Sequence, residues 1–274
     1  MNENILNDVV IVGVGGVGLN TINDLVNKET DFVPWYSSEL GMRMIVFDTN
    51  ACHIAMLNNK IERLMIGRKI TRGVGAGGYP EYGRGAAEEN LEDIREKLKK
   101  KKLVLMIAGL GGGTGTGAGP IIAQIAKEQG AKVVAVVTHP LSLEPVRQIK
   151  ASCGFCDFLE NCDAVVSIEL DMIGMLLKMD TLKTRKNLTS QMKKIEKPGP
   201  KWFIRADQLI RDVVMDIVKN KVNIKKAMKL EGQCAIGKEG WLSVMSLENF
   251  QTKIALSEGV GIVAQTETMR MLNK

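Results

Sequence analysis

The chain alternates short apolar runs with longer stretches in which apolar residues recur every three or four positions. Val9-Val10-Ile11-Val12, Met44-Ile45-Val46-Phe47, Leu103-Val104-Leu105-Met106-Ile107-Ala108 and the run from Val133 to Val137 have the length of buried strands. Between them, Leu19, Ile22, Leu25 and Val26 share one helical face, as do Ala87, Leu91, Ile94 and Leu98, and Ile121, Ile122, Ile125 and Ala126. The second of these sets predicts a single helix from Pro80 to Leu98, ending on the lysine run 99–102, whose cations complement the negative end of the helix dipole. Strands with no polar alternation belong to parallel sheets covered on both faces, and strand–helix alternation is how such sheets are wound. The pattern predicts an α/β fold, a Rossmann-like parallel sheet with helices on both faces. After Arg147 the periodicity loosens. Residues 178–201 are polar and basic and end at Pro198-Gly199-Pro200. Beyond them Ala206, Leu209, Ile210, Val213, Val214 and Ile217 restore the 3–4 spacing and predict a long central helix. Gly259-Val260-Gly261-Ile262-Val263 reads as one more strand.

Glycine loops fall where the apolar strands end. Gly13-Val14-Gly15-Gly16-Val17-Gly18 follows a strand, opens a helix and satisfies GxGxxG. Its backbone amides would face an anion at the positive helix end. Taken alone it also fits a nicotinamide or flavin enzyme, with Asp48 at the end of the second strand as a ribose carboxylate. The run Gly111-Gly112-Gly113-Thr114-Gly115-Thr116-Gly117 decides the class. Five glycines interleaved with two threonines leave successive amides open as an anion nest, and Thr114 and Thr116 add hydroxyls. No Gly-Lys-Ser/Thr closes it, so it is not a Walker loop. A third glycine loop spans Gly73 to Gly78. A dinucleotide fold needs one such loop; three around one pocket suit a triphosphate.

Composition sharpens the picture only a little. The 28 glycines and 4% aromatic content fit an α/β protein rich in glycine loops. A net charge of +6 suits an anionic ligand and by itself makes no case for nucleic acid. No stretch approaches the roughly 18 apolar residues of a membrane span, and Met1 to Ile5 has no signal-like pattern, so a soluble cytoplasmic protein without direct membrane insertion is expected. The five cysteines read as reduced thiols. Cys153, Cys156 and Cys162 offer three metal ligands without an assigned fourth, so no structural metal site is expected.

The glycine motifs resemble the tubulin/FtsZ superfamily, closest to its FtsZ branch. The similarity is carried by Val12 to Asn20, by Thr71-Arg72-Gly73-Val74-Gly75-Ala76-Gly77-Gly78-Tyr79-Pro80-Glu81, by Ala108 to Pro120 and by Val136-Val137-Thr138-His139-Pro140. The resemblance implies GTP or GDP as ligand, with Mg2+ accompanying GTP. It assigns Gly15 and Gly16 to the α- and β-phosphates and Asn20 to guanine. Ala76, Gly77 and Gly78 would lie by the γ-phosphate. Gly111, Gly112, Gly113, Thr114, Gly115 and Thr116 would wrap the phosphates, and Glu144 would bind the ribose. Phe203 would stack on guanine, and Asp207 would accept from its paired N1/N2 donors. Self-association, or association with another FtsZ-like chain, is implied as well. So is a division into a nucleotide-binding domain (1–200), a central helix (201–219) and a truncated or remnant second domain (220–274).

The chain also departs from the family pattern. FtsZ activates water with two acids inserted into a neighbouring subunit's site. Alignment on Gly232 and Gly237 puts Asn220 and Asn223 at those positions, among Lys219, Lys221, Lys225 and Lys226. Gln148 stands where an arginine is expected, with Arg147 one place early, and Tyr79 replaces an asparagine. An asparagine expected to touch the base near Ile168-Glu169-Leu170 is absent. These departures imply a nucleotide-dependent scaffold or regulator with weak or no intrinsic hydrolysis. A cytoskeletal GTPase filament and a metal or cluster protein on the same body are the alternatives.

Overall fold

In the computed structural model, residues 8–27 and 43–171 are described, together with helical Asp207, Ile210, Arg211 and Val214 and three short strands further on. The order is β1 (Val9–Val14), α1 (Gly15–Asn27), β2 (Arg43–Asp48), α2 (Ala51–Ala55), β3 (Glu62–Met65), α3 (Arg68–Thr71) and α4 (Pro80–Glu89). Then come α5 (Leu91–Leu98), β4 (Leu103–Gly109), α6 (Thr114–Glu128), β5 (Lys132–His139), α7 (Pro145–Asn161) and β6 (Ala164–Glu169). The strands β7 (Cys234–Ile236), β8 (Leu242–Val244) and β9 (Val260–Ala264) follow.

The main sheet runs β3-β2-β1-β4-β5-β6-β9. Every pairing from β3 to β6 is parallel, and β9 lies antiparallel along β6. This is the α/β arrangement that the apolar runs predict. Each central strand is buried on both faces because successive side chains alternate between them. Val10, Val12, Val104, Met106, Val133 and Ala135 join one core with Ala86, Ala87, Ile94, Leu98, Ile122 and Phe158. The alternate residues Ile11, Met44, Val46, Leu105 and Ile107 are equally buried, as are Ile22 and Leu25 of α1.

Several elements differ from the expectation, among them β6, which falls in the stretch where the periodicity loosens. The single helix predicted from Pro80 to Leu98 breaks at Asn90, which has φ −117° and ψ 28°. Its side-chain oxygen accepts from Gly67 N at 2.8 Å, and its amide nitrogen donates to Asp93 at 2.8 Å, so tertiary contacts occupy a residue that helix periodicity passes over. β3 went unpredicted because it is four residues long, half polar and at the sheet edge. Arg43 donates twice to Glu62 there, at 2.6 Å each, and holds the Glu62 carboxyl below its usual range. The loosened pattern after Arg147 conceals the 17-residue α7, whose inward face carries the small residues Ala151 and Gly154. Gly154 lies against Thr116, too close for a β-carbon, so the contact is made without the large apolar residues that reveal periodicity.

The strand expected at 259–263 is found as β9, and Ile210 and Val214 of the expected central helix are helical and buried. Most of that helix, and most of the proposed second domain, lies outside the described residues. Among the described residues no helix is long and apolar enough to cross a membrane.

Phe158 is fully buried, and its ring fills the space beside Gly119, locking α7 to α6. Phe158→Ala is expected to cost about 3–5 kcal/mol, measured as a lower urea midpoint with an unchanged slope.

Candidate nucleotide-binding site

The strand order reverses between β1 and β4, and open α/β sheets bind ligands at the strand carboxyl ends at such a switch point. Val14 pairs with Ala108, so the two strands end level and their glycine loops emerge side by side. The first loop turns at Gly15 (φ +68°) directly into α1, and the second turns at Gly111 (φ +82°) and enters α6. Both conformations strain a residue with a β-carbon.

The loops touch one another. A β-carbon on Gly15 would lie 3.0 Å from Gly115 N and 3.2 Å from Thr114 Cβ. One on Gly113 would lie 2.6 Å from Ala76 Cβ and 3.0 Å from both Ala76 O and Tyr79 N, which brings in the Gly73–Gly78 segment. That segment is fastened to the end of β2, where Gly75 N donates to Thr49 O (3.1 Å) and Ala51 N to Gly73 O (2.8 Å).

Each loop also presents one glycine to open space: among the described residues, apart from the chain neighbours, no atom lies within 4 Å of a β-carbon built on Gly16, Gly78 or Gly112. Around this space the first amides of α1 and α6 have no intrahelical acceptor. Among the described residues the amides of Ala76, Gly77 and Gly78 have no backbone acceptor either. Helices of 13 and 15 residues thus aim their positive ends at the space. Many backbone donors, two helix N-termini and, among the described residues, no side chain against Gly16, Gly78 or Gly112 suit an anion with several oxygens, such as a polyphosphate.

The two loop threonines differ. Thr114 Oγ1 is buried and lies 2.7 Å from Thr49 Oγ1, so this hydroxyl pair retains one hydrogen to donate elsewhere. Thr116 turns its methyl to Gly154, and its buried hydroxyl has no partner among the described residues.

At the rim, Glu144 stands at the N-cap of α7. Arg147 Nη1 donates to its carboxylate at 2.7 Å, and Leu141 N donates at 3.3 Å. Arg147 Nε also reaches Gly111 O at 3.5 Å, which ties Glu144 to the start of the phosphate loop. Gln148 instead donates to Pro140 O. Asn20 is exposed on α1, and Asp207 is half-buried on its helix. Phe203, Asn220 and Asn223 lie outside the described residues.

Asp48 does not have the freedom that a ribose carboxylate would need. It is buried, accepts from Thr49 N at 2.7 Å and faces His53 Nδ1 at 3.0 Å. Two residues near the loops belong to none of the motifs: Thr49, which follows a strand end and pairs with Thr114, and Lys150, whose Nζ donates to Gly78 O. Cys153 and Cys156 are exposed on α7, while Cys162 is buried and its thiol pKa is pushed up by that burial. Among the described residues no group of three or more His, Cys, Asp and Glu side chains is placed to hold a metal.

The sequence model of the Tubulin/FtsZ family GTPase domain matches residues 8–176, which contain all three loops. The chain belongs to the tubulin/FtsZ family. This FtsZ-like chain is 40% identical over 187 residues to the cell division protein FtsZ 2 of Methanocaldococcus jannaschii, covering 67% of this chain and 47% of that protein. It is 39% identical over 172 residues to FtsZ 1 of Thermococcus kodakarensis, covering 62% and 43%. The FtsZ-like chain therefore spans about half the length of the curated relatives it matches. A solved empty FtsZ dimer from M. jannaschii superposes with a TM-score of 0.64 at 28% identity, covering 84% of this chain and 63% of that one.

Neighbouring glycines of the FtsZ-like chain should respond differently to substitution. Gly113→Ala meets Ala76 and the Tyr79 amide and is expected to cost about 1–3 kcal/mol. Gly112→Ala enters open space and should stay within about 1 kcal/mol of the unsubstituted chain. Urea denaturation of the two variants measures the contrast.

Proposed function

We propose that this chain binds a guanine nucleotide, GTP or GDP, across its three glycine loops and turns GTP over slowly or not at all. The observation that carries the reading is the convergence of the three glycine loops, with Gly15 against Gly115 and Gly113 against Ala76, whose Gly16, Gly78 and Gly112 face open space among the described residues. On this reading the α- and β-phosphates lie on Gly15 and Gly16. The γ-phosphate lies by Ala76, Gly77 and Gly78, with Mg2+ accompanying it. Gly111, Gly112, Gly113, Thr114, Gly115 and Thr116 wrap the chain of phosphates. Glu144 meets the ribose, while Asn20, Phe203 and Asp207 meet the base. A carboxylate at Asp207 suits guanine because it accepts two adjacent N–H donors, which adenine does not offer.

Slow turnover follows from chemistry. Water attack on a γ-phosphate needs a group that orients the nucleophile and takes its proton, and the carboxamides of Asn220 and Asn223 can do only the first. A nucleotide held but not consumed suits a cytoplasmic scaffold or regulator. Self-association is part of the proposal: Leu143, Val146 and Ile149 expose apolar surface beside the rim, and the M. jannaschii FtsZ neighbour is described as a dimer.

Three outcomes are expected. Chromatography of the denatured protein, or GDP titration, should reveal guanine nucleotide, and Gly112→Ala should lose it while remaining folded; tight NAD binding without GDP binding would refute the reading. Asp207→Ala should lose its preference for guanine over adenine, by about 1–3 kcal/mol for each hydrogen bond left unmade. Phosphate release should be slow in the natural chain and should not reach FtsZ-like rates in an Asn220→Asp/Asn223→Asp variant. Turnover by the natural chain that rises steeply with its concentration would instead indicate catalysis completed by a neighbouring copy.

A further inference from the structure

Lys150 belongs to none of the motifs that point to the nucleotide, yet it reaches the loop assigned to the terminal phosphate. From the second turn of α7 its Nζ donates to Gly78 O at 2.6 Å and lies 4.7 Å from the centroid of the Tyr79 ring. The same peptide group is held from its other end, because Tyr79 N donates to Ala76 O at 2.9 Å. With its carbonyl on the lysine and its N–H on Ala76, the Gly78–Tyr79 peptide cannot rotate without breaking both bonds. Gly77 (φ +59°) and Gly78 (φ +77°) are consecutive left-handed residues, an arrangement that points successive N–H groups the same way. The pinned peptide therefore fixes the direction of the Gly77 and Gly78 amides before it.

Lys150 does not act from a free-standing helix. Gly154 and Asp157 follow it at i+4 and i+7 on the same face of α7. Gly154 packs on Thr116 of the phosphate loop, and Asp157 accepts from Arg84 of α4 at 2.8 Å. Lys150, Gly154 and Asp157 form a seam that joins α7 to the phosphate loop and to the helix leaving the Gly73–Gly78 segment. An ammonium group has three donors, and one suffices for Gly78 O.

We propose that Lys150 is a positioning residue that sets the Gly77 and Gly78 amides for the terminal phosphate, so that the preference for triphosphate over diphosphate depends on it. The proposal rests on the guanine-nucleotide reading above and adds a residue that determines which nucleotide state is retained. Lysine suits the task because one ammonium group donates to Gly78 O and also lies over the Tyr79 ring. Methionine keeps the stem and removes the donor, and arginine keeps the donor and charge.

The test titrates GDP and a non-hydrolysable GTP analogue into the full chain and into the Lys150→Met, Lys150→Arg and Tyr79→Leu variants, with thermal midpoints recorded without nucleotide. Lys150→Met should weaken triphosphate binding about tenfold, the size of one charge-assisted hydrogen bond, while diphosphate binding changes less than about threefold. Lys150→Arg should restore most of the selectivity, and Tyr79→Leu should fall in between. Equal weakening of both nucleotides by Lys150→Met, or no weakening of either, would overturn the role of Lys150 alone. If Lys150→Met does not fold, Tyr79→Leu decides: unchanged selectivity would overturn the proposal. Absence of guanine-nucleotide binding in the unsubstituted chain would overturn the parent reading and this one with it.

Discussion

Backbone meets backbone over the carboxyl end of the sheet, and the site depends on that contact. Gly113 leaves no room for a β-carbon against Ala76 and Tyr79, and Gly15 has little against Gly115. Side chains at these points would force the loops apart and disturb the convergence of their amides. The level ends of β1 and β4 make the approach possible, since their register brings both loops to the same height. The wholly apolar strands serve this geometry as well: a sheet buried on both faces is a rigid base from which short loops can be aimed.

Much of this was legible in the sequence because the signals are strong where the chemistry is local. Apolar runs of four to six residues marked β1, β2, β4 and β5, and glycines at their ends marked the loops. What escaped had physical reasons. β3 is short and at an edge, with Arg43 and Glu62 pairing across it where apolar residues were sought. α7 packs through Ala151 and Gly154 as well as Phe158, and the small residues weaken its periodicity. Asn90 breaks a helix because its side chain is committed to Gly67, a partner 23 positions away in the chain.

The candidate site divides in the same way. The glycines and Thr114 could be read from their motif because backbone donors need only the absence of side chains. The roles of Lys150 and Thr49 depend on which atoms the fold brings within reach, and no spacing in the chain encodes that. Asp48 illustrates the converse. At a strand end it resembled a ligand carboxylate, but in the fold it is an internal acceptor for Thr49 and a partner for His53.

The seam along α7 has a consequence for any surface that the helix carries. Leu143, Val146 and Ile149 are exposed at its start, a few residues from the side chain that fastens Gly78. Free energies of binding at two sites on one body are linked, and the coupling is reciprocal. A partner that favours one setting of α7 must change the affinity for nucleotide by the same factor as nucleotide changes the affinity for that partner. A partner proposed for the apolar rim and a nucleotide proposed for the loops would in that sense be two readings of a single equilibrium.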